Sequence, residues 1–191
     1  MLDCTEGVFV RRFVRGALGT SVAALIVVLA GCPSPPEVTL TDDGFKHLET
    51  IGMTLRWRVD GDMAEFIVTA PEQGWVGVGF DPESVMRGAD IIIGYVEADG
   101  TVVIEDHWGD ALTSHRPDTE LGGTDDVEII GGERTNSGTM LHFRRPLDSG
   151  DQYDRPLTPG ENHTIMLAYG PAADTTSEHQ RDARTSFRVE F

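Results

Sequence analysis

Apolar and polar residues alternate with a period of two along much of this chain, which predicts strands rather than helices. Leu55, Trp57 and Val59 alternate with Thr54, Arg56 and Arg58, so one face of a strand is buried and the other is wet. Asp60-Gly61 supplies a tight turn and residues 63–70 run back, giving a hairpin. In residues 75–80 apolar side chains alternate with Gly77 and Gly79. Glycines inside a strand mark close approach by another backbone or by a ligand. Residues 91–96 are nearly continuous in apolar side chains and predict a central strand, with 101–106 returning after Ala98-Asp99-Gly100. Further strands are predicted at 127–132, 139–145, 163–169 and 186–191. Short strands at this spacing, separated by Gly, Pro and Asp, predict an all-β antiparallel sandwich. Residues 108–126 and 171–184 are expected to be long loops, the second containing His179.

Composition narrows the function. The chain has 191 residues, 15 Lys plus Arg against 32 Asp plus Glu, and a formal charge of −17. Binding to nucleic acid needs a basic face, so nucleic acid is excluded as a partner, and so is membrane attraction through a polybasic patch. Two Cys provide neither a disulfide framework nor a four-Cys zinc or iron–sulfur site.

The N-terminus reads as an address. Arg11, Arg12 and Arg15 precede an uncharged apolar run over residues 17–30, which is shorter than the roughly 20 residues needed to span a bilayer. A basic stretch, a short apolar stretch and then small residues describe a secretory signal. Leu29-Ala30-Gly31-Cys32 resembles the lipobox of bacterial lipoproteins. That resemblance implies a signal peptide over 1–31 and lipidation of Cys32. It also implies a tether over 32–50 that begins Pro33-Ser34-Pro35-Pro36, and a folded domain over 51–191. Several acyl chains on one Cys would hold the protein stably on a membrane. Pro rather than Asp after Cys32 implies the outer membrane, with the domain facing the periplasm or the cell surface. A simple signal peptide cut near Ala30, with Cys32 incidental, is the alternative. Without the leader's three Arg and two acids, 12 basic and 30 acidic residues remain, and Lys46 is the sole Lys.

A run of landmarks then resembles the DOMON domain family. It comprises Gly74-Trp75-Val76-Gly77-Val78-Gly79-Phe80, Met86, Gly88-Ala89-Asp90 leading into Ile91, and Asp106-His107-Trp108. Arg145-Pro146-Leu147-Asp148-Ser149-Gly150-Asp151, Leu167-Ala168-Tyr169-Gly170 and His179 complete it, in order. The likeness implies an immunoglobulin-like antiparallel β-sandwich of about nine to eleven strands that binds haem or sugars. In haem-binding members, such as the cytochrome domain of cellobiose dehydrogenase, a Met and a His ligate the iron. The matching positions here are Met86 and His179. The family often has an aromatic residue before that His, where this chain has Glu178.

Met/His ligation fills both axial positions, which suits an iron to single-electron transfer rather than oxygen chemistry. No Cys-x-x-Cys-His occurs, so the haem would be b-type and held without covalent bonds. Trp75, Phe80, Tyr95, Met166 and Tyr169 are available to line an apolar slot for it. The resemblance thus implies a non-enzymatic electron-transfer module serving a redox partner of the cytochrome b561 kind. Its alternatives are a haem-free module for a sugar or other small ligand and an accessory domain to a copper monooxygenase system. Elsewhere, His107, His115, His142 and His163 offer imidazoles suited to copper or zinc, but their spacing matches no short metal motif. Asp106, Asp110, Asp118, Asp125 and Asp126 offer oxygens suited to calcium.

Overall fold

The alternating segments pair into two antiparallel sheets of six strands each. This is a computed structural model, and it describes residues 36–191. Cys32, the leader and Pro33 to Pro35 lie outside the described residues. In chain order the strands are β1 (Thr39–Leu40), β2 (Lys46–Thr50), β3 (Met53–Asp60), β4 (Met63–Ala70), β5 (Val76–Phe80) and β6 (Asp90–Val96). After them come β7 (Val102–Ala111), β8 (Ser114–Pro117), the one-turn helix α1 (Asp118–Leu121), β9 (Glu128–Thr135), β10 (Gly138–Pro146), β11 (Asn162–Tyr169) and β12 (Arg184–Glu190). The first sheet runs β1-β2-β3-β4-β10-β9 and the second β12-β11-β5-β6-β7-β8. Among the described residues no helix is long and apolar enough to cross a membrane.

All nine strands expected from alternation are present, and three more join them. β1 and β2 come from the stretch 32–50, expected to be a tether, and both are bonded into the first sheet. The expected loop over 108–126 is instead the end of β7, the strand β8 folded back on it, and α1. Residues 171–183 carry no strand, as expected.

Each sheet turns one set of alternate residues inward. Leu48, Leu55, Trp57, Phe66, Val68, Leu141 and Phe143 come from the first sheet, and Val76, Val78, Phe80, Ile92, Ile165 and Leu167 from the second. Phe66 is central, its ring centroid 5.3 Å from that of Phe143 and 5.4 Å from that of Phe80. Such aromatic clusters bury large apolar areas and dominate core energetics.

The outward sets differ. On the first sheet Arg58 and His142 both bond Glu65, each at 2.7 Å, and Arg144 pairs with Glu128. On the second sheet β5 is buried along its whole length and β6 at every residue except Tyr95. A strand that is buried on both faces of a two-layer sandwich needs cover on its outer side.

Candidate functional site

Period two decides what lies on the outer side of the second sheet. Val76, Val78 and Phe80 face the core, so Trp75, Gly77 and Gly79 face away from it. Ile91 and Ile93 of β6 form a second apolar cluster with Trp75 and Ala89. Met86, Tyr95, Met166 and Ala168 pack against that cluster. The register sets Gly79 between Ile91 and Met166, and Gly77 between Ile93 and Ala168. A Cβ on Gly79 would come within 2.7 Å of Met166 Cε and 3.4 Å of Ile91 Cγ1. The two glycines therefore let apolar side chains, Met166 and Trp75 among them, lie directly on the sheet.

Two residues expected to line this slot do not. Phe80 and Tyr169 have inward parity: Phe80 is fully buried against Phe66, and Tyr169 packs on the inner core. Trp75, Tyr95 and Met166 are on the outer face, and Met86 joins them there.

Met86 lies in the 81–89 segment between β5 and β6. Its N–H donates to the Leu112 carbonyl at 3.3 Å, and its own carbonyl accepts from Ala89 N–H at 3.0 Å. Gly109 permits this approach, since a Cβ there would sit 1.7 Å from the Met86 carbonyl oxygen. Two non-glycine residues of the segment take positive φ, Asp81 at 44° and Val85 at 56°. For a β-branched residue that conformation is strained and persists only where its surroundings enforce it.

His179 lies in the 171–183 segment, which is bonded to the same face at several points. Trp75 N–H donates to the Ala172 carbonyl at 2.9 Å, Trp75 Nε1 to Ser177 Oγ at 3.1 Å, and Thr175 Oγ1 to Glu105 at 2.9 Å. The His179 ring stands edge-on to Trp75, with centroids 6.4 Å apart. Its Nδ1 is 3.0 Å from the Gln180 carbonyl oxygen. A carbonyl only accepts, so Nδ1 carries the hydrogen and the neutral ring keeps its lone pair on Nε2. Metal-ligating histidines are commonly fixed in this way. Glu178 is exposed and leaves the apolar face undisturbed.

Of the other histidines considered as metal ligands, two meet and two lie apart. His107 and His115 place their Nδ1 atoms 2.8 Å apart, and His107 Nε2 lies 3.1 Å from Glu105. Burial depresses the basicity of both, and that of His115 to about 4 with the help of His107 beside it. His142 sits on Glu65 of the first sheet, and His163 on Asp81 at 2.6 Å.

Beneath the Met86 segment, inside one end of the sandwich, Asp106 and Asp118 gather with Asp90 and Asp154 around Arg145, and all five are buried. Burial, reinforced by the neighbouring carboxylates, pushes Asp106 up to about 9 and Asp118 to about 8, and burial raises Asp154 to about 6. Asp110, Asp125 and Asp126 stay outside, engaged with Arg116, the Val127 N–H and Thr124. Arg155 links the cluster to the Met86 segment. Its N–H donates to Asp90 at 2.9 Å, its Nε to the Gly88 carbonyl at 2.8 Å, and its Nη2 to Glu83 at 3.1 Å. No spacing along the chain groups Asp90, Arg145 and Asp154 with Asp106, and the sequence-based expectation missed them. Parity is the available signal, because Asp90 shares its face with Ile92, Asp106 with Ile104, and Arg145 with Phe143.

The family model described as DOMON domain matches residues 49–170. Mouse DBH-like monooxygenase protein 2 is 30% identical over 120 residues, which is 61% of this chain and 18% of that protein. Bovine dopamine beta-hydroxylase is 24% identical over 161 residues, which is 80% of this chain and 24% of that protein. The chain thus spans a quarter or less of the length of these relatives. Among solved structures it is similar to the cytochrome domain of Myriococcum thermophilum cellobiose dehydrogenase, with a TM-score of 0.58 and 10% identity over 81% of this chain and 88% of that one. It is also similar to the cytochrome b domain of pyranose dehydrogenase from Coprinopsis cinerea, with a TM-score of 0.56 and 17% identity over the same shares.

Proposed function

The chain belongs to the DOMON domain family, and on that premise we propose that it is an electron-transfer module holding b-type haem between Met86 and His179. The observation that carries this reading is the outer face of the second sheet. There Gly77 and Gly79 floor an apolar patch walled by Trp75, Ile91, Ile93 and Met166, with Met86 packed on it and His179 beside Trp75. The donor set fits. His179 offers Nε2 because Gln180 occupies Nδ1, and Met86 offers a thioether on a segment fixed by Leu112, Ala89 and Arg155. When bound, haem would supply a reversible one-electron couple, and a soft thioether ligand favours the ferrous state. The protein's part would be to hold Met86 and His179 in place as ligands and to keep water from the apolar face through the 171–183 segment.

Cys32 is the lipid attachment point in this reading, anchoring the module to the bacterial outer membrane, facing periplasm or cell surface. Its partner is a membrane redox protein of the cytochrome b561 kind. A second reading follows from the relatives named as monooxygenases and hydroxylases: a non-catalytic accessory module beside a copper-dependent enzyme.

Titrating haem into the full chain tests the proposal. One equivalent is taken up with a sharp low-spin reduced spectrum, and the spectrum becomes high-spin in Met86→Ala and His179→Ala. A chain that stays colourless, or whose spectrum neither substitution alters, overturns it in favour of a haem-free sugar or small-ligand module.

A further inference from the structure

We propose that Asp90, Asp106 and Asp154 form a binding site for a hard divalent cation of the calcium class, with Asp118 at its edge. The site lies between the two sheets, at the end closed by the loop 147–157 and by α1. One oxygen from each of Asp90, Asp106 and Asp154 can be chosen so that all lie within 4.8 Å of one another. Calcium binds oxygens at about 2.3–2.6 Å, so ligands on opposite sides of one ion are up to about 5 Å apart. Magnesium, at about 2.0–2.1 Å, needs a tighter cage and keeps more of its water.

The second observation is independent of that spacing. Asp106 is 3% exposed and Asp118 is fully buried, yet neither carboxylate has a hydrogen-bond partner on either oxygen. Oδ1 of Asp90 and Oδ1 of Asp154 are also unpartnered. Six buried carboxylate oxygens without donors are costly to hold in a folded protein, and a cation of six to eight oxygen ligands removes that cost. Arg145 cannot do so alone. It donates to Oδ2 of Asp90 and approaches Asp154 Oδ1 only to 3.7 Å, so one guanidinium faces four carboxylates.

The remaining bonds hold the donors in place. Asp90 Oδ2 is held by Arg145 and by Arg155 N–H, and Asp154 Oδ2 by Ser149. The other oxygen of each residue is thereby left free for the metal. A bound ion would tie the loop 147–157 to β6 and β7. Through Arg155 and the Gly88 carbonyl it would also steady the Met86 segment.

The proposal does not depend on haem, and its test contains none. The full chain is stripped with EGTA, and its thermal unfolding and calorimetric titration are followed with calcium chloride and with magnesium chloride. Calcium at about a hundredfold excess over its Kd should raise Tm by about 5 °C or more, and magnesium by clearly less. Asp106→Asn and Asp154→Asn should lose most of the rise, while Asp110→Asn and Asp125→Asn keep it. If Asp106→Asn does not fold, terbium luminescence decides the same question: the wild type should show it, calcium should displace it, and Asp154→Asn should lose it. A wild type that neither binds calcium nor shifts its Tm would overturn the proposal. So would a shift that survives in both Asp106→Asn and Asp154→Asn.

Discussion

On the first sheet the outward residues of β3, β4 and β10 include Arg58 and His142, both bonded to Glu65, Arg56 paired with Asp43, and Arg144 paired with Glu128. On the second sheet the outward set is Trp75, Gly77, Gly79, Ile91, Ile93, Met166 and Ala168, lying under the 171–183 segment. Both sheets already bury one face in the shared core, so a sandwich needs nothing from the second apolar face. The second apolar face is instead buried under the protein's own 171–183 segment, with Trp75, Ile91 and Ile93 almost inaccessible to solvent. The glycines make the distinction sharper, because a side chain at Gly79 would collide with Met166, so apolar neighbours lie directly on the sheet there.

The comparison can be strained at matched isoleucines. Ile93→Ala removes a side chain that is 3% exposed and should cost about 2–5 kcal/mol in denaturant unfolding. Ile67→Ala, half-buried on the first sheet's outer side, should cost about 1 kcal/mol or less. Similar losses at the two positions would remove the asymmetry. Next in size is Gly79→Val, whose added carbons meet Met166 and fill the floor. Haem affinity should fall about tenfold or more, with the far-ultraviolet circular dichroism unchanged, whereas Thr54→Val on the first sheet leaves affinity as it was.

The smallest effect belongs to Glu65. Burial pushes its carboxyl up, but hydrogen bonds from His142 and Arg58 outweigh this and hold it below the ordinary 4.5. A depressed acid stabilises the fold above its unfolded value and loses that contribution as pH falls through its folded value. Glu65→Gln should therefore cost about 1 kcal/mol near pH 7, and the difference from wild type should close in acid. Unfolding curves for the two proteins at several pH values would show a gap that does not change with pH if the pairing does not contribute.

Alternation makes most of the nine strands legible because they have an apolar set to bury, whereas β9 is read from Ile129 and Ile130, which stay exposed. β1 has two residues, β2 carries one inward apolar residue in Lys-His-Leu-Glu-Thr, and β8 is Ser-His-Arg-Pro. Short, polar and Pro-bearing strands are how sheets close their edges, and such strands leave no period to read. Trp75 and Phe80 look like one aromatic group near a glycine run, although their odd and even positions send them to opposite faces. Met86 and His179 can be named only from the order of motifs, since their nearness to the apolar face depends on the paths of two irregular segments. Asp154 is illegible for the same reason. Its place beside Asp90 and Asp106 comes from the loop 147–157, not from any spacing in the chain.

The claim that the outer face of the second sheet holds haem through Met86 and His179 is tested most directly in the near infrared. A ferric haem ligated by a thioether shows a weak sulfur-to-iron charge-transfer band, which magnetic circular dichroism detects. The haem-loaded chain should show that band, and Met86→Ala should lose it while still folded. Absence of the band in the wild type, or its persistence in Met86→Ala, would contradict ligation by Met86.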